Sequence, residues 1–211
     1  MQTKLPDQNS ESVEFYDGMQ AIIRPIRADD APGLQSLFGR LSEESIYYRV
    51  LGLRKELTGE QARRLADLDY QTQMALVATC GDGCEEEVIG VARYCVIPGT
   101  RPAEAEAAIV VEDRHQSTGL GTLLLERLVA YATAHGIRTF LAEIRHDNGR
   151  NLRLIRRSGL PSQSRLERGV LVLRVGLERE PPGATASRSA LREQGRPEEE
   201  GRKLPCSFMT V

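Results

Sequence analysis

Between Ala107 and Gly136 a short apolar run, a polar loop and a helical stripe follow one another without interruption. Ala107 to Val111 is too short for a helix and rich in β-branched residues, and it reads as a buried strand. The loop contains Gln116-Ser117-Thr118-Gly119-Leu120-Gly121-Thr122. From Leu120 to Ala134 the apolar residues recur at helical spacing, with Leu120, Leu124, Leu128 and Tyr131 in one stripe. His135-Gly136 then supplies a last turn and a C′ glycine. The order strand, glycine loop, helix is the strongest restriction on how this chain folds.

A helix start after such a loop presents backbone N–H groups and the positive end of the helix dipole. Gly119 and Gly121 carry no Cβ to hold a ligand's oxygens away. An anion site follows, most simply for a pyrophosphate. A nucleotide P-loop needs Gly-Lys-Ser/Thr at the helix start, and the chain has Gly121-Thr122-Leu123. A dinucleotide fingerprint needs its first glycine at the strand end and a third glycine where this chain has Leu124. Glu143, on the following apolar run, lies at about the right distance for its acidic partner, yet the loop from Glu112 to Thr118 is too long.

Gln116-Ser117-Thr118-Gly119-Leu120-Gly121 resembles the Q/R-x-x-G-x-G/A loop of the GCN5-related N-acetyltransferases (GNAT), which holds the pyrophosphate of acetyl-CoA. Asn148-Gly149-Arg150-Asn151-Leu152-Arg153-Leu154-Ile155-Arg156-Arg157-Ser158-Gly159-Leu160 resembles the family's second CoA-contacting segment. The likeness covers about Val13 to Leu177. Nearer the front, Ile23-Arg24-Pro25-Ile26-Arg27-Ala28-Asp29-Asp30, Leu41-Ser42-Glu43-Glu44-Ser45-Ile46-Tyr47-Tyr48-Arg49 and Asp69-Tyr70 with Met74-Ala75-Leu76-Val77-Ala78 look like the acetyltransferase domain of bacterial protein-lysine acetyltransferases. That group acts on acyl-CoA synthetases. The resemblance implies an α/β (α+β) fold, a mixed, mostly antiparallel sheet flanked by helices.

At 211 residues and 40% hydrophobic content the chain can bury one core, and one domain is expected. A net charge of −2 makes no electrostatic case for nucleic acid or an anionic membrane. No apolar run approaches the length of a membrane span, and Met1 to Asn9 has no signal-peptide core, so a cytoplasmic location is expected. Cys80, Cys84, Cys95 and Cys206 are too few and too irregular for a disulfide framework, and no metal is expected.

Residues 1–17 read as a loose leader, 18–177 as the catalytic domain and 178–211, rich in Pro, Gly, Arg and Glu, as a disordered tail. Met19 to Ile26 reads as a strand. Asp29 and Asp30 are placed to cap a helix with Pro32 in its first turn, and Ser42 to cap a short one over Glu43 to Val50. Thr58-Gly59-Glu60-Gln61 forms a capping box. Gln73 to Thr79 and Glu87 to Ile97 form a hairpin about Gly81-Asp82-Gly83. Strand Arg138 to Ile144, helix Gly149 to Arg157 and extended runs Ser162 to Glu167 and Val170 to Gly176 complete the order.

The family resemblance also implies roles. Ile109 and Val111, with Val110 between them, would pair their backbone with the pantetheine amides. Gln116 to Thr122 would offer N–H groups to the pyrophosphate, and Asn148 would contact the pantetheine arm. Ala105-Glu106-Ala107-Ala108 matches the Ala-Glu-x-Ala context of the family's general base, which makes Glu106 the catalytic residue and Glu104 its reserve. Such a base is needed because a lysine amine has a pKa of about 10.4. Period two puts Glu106, Ala108 and Val110 on one face of the strand. The family's usual tyrosine acid is replaced here by Ile155, and its usual aromatic after the last glycine by Leu160. A thiolate, with a thiol pKa of about 8.5, leaves without a strong acid.

His115 and His146 read as surface histidines, Tyr47 and Tyr48 as packing residues, and Arg150, Arg153, Arg156 and Arg157 as either a solvated helix face or contacts to the CoA 3′-phosphate. The expected activity is direct acetyl transfer from acetyl-CoA to a protein lysine. A small amine acceptor and a non-catalytic acyl-CoA sensor remain open beside it.

Overall fold

The computed structural model describes residues 10–14, 20–50, 56–81, 86–145, 149–167 and 170–178, without the side chains of 11 and 47–50. The strands are β1 (Glu11–Glu14), β2 (Gln20–Pro25), β3 (Gln73–Cys80), β4 (Glu87–Val96), β5 (Ala103–Val111), β6 (Ile137–Arg145), β7 (Ser162–Glu167) and β8 (Val170–Gly176). They form one sheet in the order β1-β2-β3-β4-β5-β6-β8-β7. Neighbours run antiparallel except β5 and β6, which are parallel. The helices are α1 (Ala31–Arg40), α2 (Glu43–Val50), α3 (Gly59–Ala66), α4 (Leu120–Ala134) and α5 (Gly149–Ser158).

Burial follows position in the sheet. β3 and β4 lie at its centre, read as nearly unbroken apolar runs and are covered on both faces. β7, at one edge, is exposed at every residue and carries Ser, Gln, Arg and Glu. One core layer sets Leu120, Leu124 and Leu128 of α4 against Met74, Tyr94, Ala107 and Phe140. The other sets Leu34, Leu37 and Phe38 of α1 and Ala62 and Ala66 of α3 against Ala75, Val77, Val91 and Val110.

The sequence-expected helix α4 is found over its expected residues, but its buried stripe takes in Leu125 and Ala132, while Tyr131 is only half-buried. Its ring lies toward the helix end and stacks on exposed His135 with centroids 4.0 Å apart. The capping box is present: Gln61 N–H donates to Thr58 Oγ1 at 3.3 Å and Thr58 N–H to Gln61 Oε1 at 3.0 Å. Ser42 caps α2, its Oγ accepting the Ser45 N–H at 3.2 Å.

Three local expectations are corrected. Within the leader read as loose, Glu11–Glu14 pairs antiparallel with β2. Asp30 does not cap α1 with its side chain; the carboxylate turns back to accept the Arg27 N–H at 2.7 Å and both Nη atoms of Arg24 at 2.8 and 2.7 Å. β5 begins at Ala103, because β6 supplies a partner from Ala103–Ile137 and β4 from Val96–Ala105. Cys80 is a free thiol and Cys95 is disulfide-bonded. Cys84, the turn at 82–85 and the tail beyond 178 lie outside the described residues.

Candidate active site

The parallel pairing of β5 with β6 runs from Ala103–Ile137 to Glu106–Leu141 and no further. β4 holds the other edge of β5 as far as Val111. Backbone directions follow from this one-sided pairing. Ile97 N–H donates to Glu104 C=O at 2.8 Å and Glu112 N–H to Ile89 C=O at 2.9 Å, so the even-numbered residues of β5 spend their polar groups on β4. The N–H and C=O groups of Ile109 and Val111 therefore point away from β4, toward the side that β6 has left. Gln116 Nε2 donates to the Val111 carbonyl there at 3.0 Å.

After β5 the chain makes a 3-10 turn over Asp113–His115, passes Ser117 at φ 65° and Gly119 at φ 101°, and enters α4. Both left-handed positions are tolerated by their residue types, Gly119 freely and Ser117 at a cost. They turn the chain so that α4 begins beside the end of β5. A Cβ built on Gly121 would lie 3.8 Å from Val111 Cγ2 and 3.9 Å from Leu154.

These elements enclose a cleft of about 170 Å³. Ile109, Val110 and Val111 line it from β5, and Gln116, Ser117, Gly119, Gly121 and Thr122 from the loop and helix start. Ser45 of α2 closes one side, and α5 contributes Arg150, Asn151, Arg153, Leu154 and Arg157. Of the sequence-expected cofactor residues, Thr118 and Leu120 are not on the cleft wall. Thr118 Oγ1 donates to the His115 carbonyl at 2.7 Å, shaping the loop, and Leu120 is 1% exposed in the core. Asn148 lies outside the described residues.

Glu106 is 1% exposed, so it is no solvated charge at a strand end. Facing residues of paired strands share a face, which puts Glu106 and its partner Cys95 on the same side as Arg93 and Ala108. Arg93 is 3% exposed. Burial pulls its pKa down to about 10, against the upward pull of the Glu106 charge. Small Ala108 leaves room beside this buried pair of opposite charges. Glu104, the reserve base, is engaged with Arg174. Glu143 stands on the same face, two residues beyond Leu141; burial lifts its carboxyl above the ordinary value and the Glu167 charge adds to the lift.

His115 is buried, against the expectation of a surface histidine. His146 and the side chains of Tyr47 and Tyr48 lie outside the described residues. Arg150, Arg153 and Arg157 face the cleft, at the i, i+3, i+7 spacing that shares one helix face, while Arg156 does not. Sequence reasoning missed Arg93, Ser45 and Asp113. Arg93 carried one legible signal, a lone charge inside an apolar strand.

Among the described residues no group of three His, Cys, Asp or Glu side chains is arranged to hold a metal, and no helix is long and apolar enough to cross a membrane.

Residues 46–160 match the model of the Acetyltransferase (GNAT) family. The GNAT domain of S. lividans PAT is 33% identical, with a TM-score of 0.73 over 82% of this chain and 99% of that one. The acetyltransferase PA5475 of Pseudomonas aeruginosa is 32% identical over 122 residues, 58% of this chain and 64% of its own length. An L-methionine sulfoximine/L-methionine sulfone acetyltransferase of Pseudomonas aeruginosa is 27% identical over 67% of this chain and 80% of its length. With a family match across more than half its length and the mixed sheet parting at the end of β5, this chain belongs to the GNAT family of N-acetyltransferases.

Proposed function

We propose that this protein transfers an acetyl group from acetyl-CoA directly to the side-chain amine of a protein lysine, and that residues 18–177 form the catalytic domain. The observation that carries the reading is the parting of β5 and β6 beyond Glu106 and Leu141. It leaves the outward backbone groups of Ile109 and Val111 along a cleft that ends at a helix start and three arginines. An amide-bearing arm adds to such an edge as an extra strand, and a pyrophosphate suits the N-terminus of α4.

Ile109, Val110 and Val111 would hold the pantetheine. Gln116 to Thr122 would hold the pyrophosphate, Thr118 and Leu120 by shaping the loop, and Asn148 would contact the arm. The bound cosubstrate supplies the activated thioester. Glu106 takes the proton of the incoming ammonium, so that the amine arrives neutral, and buried Arg93 shares its face of the sheet. A β5 N–H steadies the carbonyl oxygen as it gains charge. The leaving thiolate needs no strong acid, consistent with Ile155 in place of a tyrosine.

The lysine acceptor is supported by the likeness to the GNAT domain of S. lividans PAT over most of this chain; an acyl-CoA synthetase is the protein substrate to offer first. A small amine is the second reading, favoured by the relative named for acetylating methionine sulfoximine and sulfone. The reading includes a cytoplasmic location.

The test is thiol release from acetyl-CoA by wild-type and Glu106→Gln protein, with lysine proteins and small amines as acceptors. Turnover should fall by roughly 10²–10⁴ in the variant while acetyl-CoA binding is retained. Turnover on small amines alone would transfer the reading to that class. Binding with no turnover on any acceptor would indicate a sensor.

A further inference from the structure

The start of α2 is tied to the loop before α4 by a set of hydrogen bonds across about 70 residues of chain. Asp113 accepts the Ser42 N–H at 2.9 Å, the Ser42 hydroxyl at 2.8 Å and the Ser45 hydroxyl at 2.7 Å. Burial pushes the Asp113 carboxyl up, but these donors outweigh it and hold the pKa below the ordinary value. A carboxylate at the first turn of a helix is also favoured by the helix dipole.

Gln116 joins this cluster to the cleft. Its Nε2 donates to the Val111 carbonyl at 3.0 Å and to Ser45 Oγ at 3.3 Å, and its Oε1 accepts from Arg150 at 2.6 Å. One amide therefore touches β5, α5 and α2 at once. α2 lies on the Glu106 side of the sheet, since its Ile46 packs against the core layer that holds α1, α3 and Val110.

We propose that Asp113, acting through Ser45 and Gln116, is a positioning residue that couples occupancy of the CoA cleft to the seating of α2 on the acceptor side. The inference rests on the reading of that cleft as a CoA site. Arg150 and the Val111 carbonyl are the groups for which a phosphate and a pantetheine amide compete. When either is recruited, Gln116 loses that contact, its amide turns more fully to Ser45 Oγ and to Asp113 Oδ1, which it already meets at 3.5 Å, and the clamp on the first turn of α2 tightens. Acetyl-CoA then prepares the acceptor side before the amine arrives.

The experiment is hydrogen exchange of peptides covering residues 42–50 in the full chain, with and without CoA, for wild type, Asp113→Ala and Ser45→Ala. Calorimetry of CoA binding and a thermal melt accompany each. CoA should slow exchange of that segment by about tenfold in wild type. The slowing should vanish in Asp113→Ala, with CoA affinity within about threefold, and shrink in Ser45→Ala. A purely structural role raises exchange equally with and without CoA and leaves the ratio untouched. Slowing that survives both substitutions, or wild type that binds CoA with no change at 42–50, overturns the coupling. Wild type that does not bind CoA overturns the reading of the cleft, and the coupling with it. If Asp113→Ala fails to fold, Ser45→Ala, which removes one hydroxyl, decides the question.

Discussion

Arg150 donates to Gln116 Oε1 at 2.6 Å and so joins α5 to the loop that opens α4. Arg153 and Arg157 stand on the same cleft wall, are exposed, and make no ion pair among the described residues. Uncompensated cations gathered beside a helix start favour an anionic ligand. Substituting both, Arg153→Gln with Arg157→Gln, should weaken CoA binding by about tenfold or more and reduce its dependence on salt. Titration calorimetry at two ionic strengths reads both effects, and unchanged affinity would return these arginines to a solvated helix face.

Gly119 and Gly121 differ in what an added methyl would meet. Gly119 sits at φ 101°, where an L-residue is strained although the surroundings are open, so Gly119→Ala should cost stability, about 1–2 kcal/mol. Gly121 has no such conformation and its built Cβ meets only ordinary contacts. Gly121→Ala should leave the thermal midpoint almost unchanged yet weaken CoA binding, because the methyl stands where the helix start meets the cleft. Melting curves and CoA titrations on the two variants should therefore rank them in opposite orders.

The buried pair of Arg24 and Asp30 makes a stability prediction away from the cleft. Arg24 Nη2 lies 2.7 Å from Asp30 Oδ1, with both side chains about a tenth exposed or less. Asp30→Ala leaves the Arg27 N–H without its acceptor and the buried guanidinium with only the longer contacts to Glu86 and the Pro25 carbonyl, each at 3.3 Å, and should destabilise the fold by about 3 kcal/mol. Arg24→Met combined with Asp30→Leu should cost less than that single change, since the one charge that then loses its partner, Glu86, is exposed to solvent. Chemical denaturation of the single and double variants makes the comparison.

Asp69 makes stability depend on acid. Burial raises its pKa, but the Thr72 hydroxyl and the N–H groups of Gln71, Gln73 and Thr72 outweigh that and hold it below the ordinary 3.8. A carboxyl depressed in the folded state contributes stability that is fully present above its unfolded pKa and is lost as pH falls through the folded one. Asp69→Asn should therefore lose about 1 kcal/mol near neutral pH and progressively less below about pH 4. Thermal midpoints across pH 2 to 7 would show the two curves converging in acid; parallel curves would refute the assignment.

The elements that bound the cleft were legible because each rests on a local signal. The leucine period and Gly136 mark α4 and its end, the β-branched run marks β5, and the paired glycines mark the turn between them. Alternation alone set Glu106 on one face with Ala108 and Val110, and set Ile109 and Val111 on the other. Residue chemistry and spacing suffice for such statements, because strand and helix periods are properties of the backbone.

Partnership was decided by the tertiary structure. Whether Glu106 is a solvated charge or a buried one depends on what lies over its face, and its neighbour Arg93 comes from another strand. Asp30 carries the residue type of a helix cap, yet Arg24 and the Arg27 N–H offer its carboxylate stronger partners. Glu11–Glu14 has no apolar period of its own and becomes a strand only because β2 presents an edge to it. Asp113 meets Ser42 and Ser45 across about 70 residues of chain, which no local pattern announces. The sequence alone determined which elements form and which way their faces alternate. Burial, charge pairing and the parting of β5 from β6 came from assembly, because desolvation and hydrogen bonding depend on groups that only the closed fold brings together.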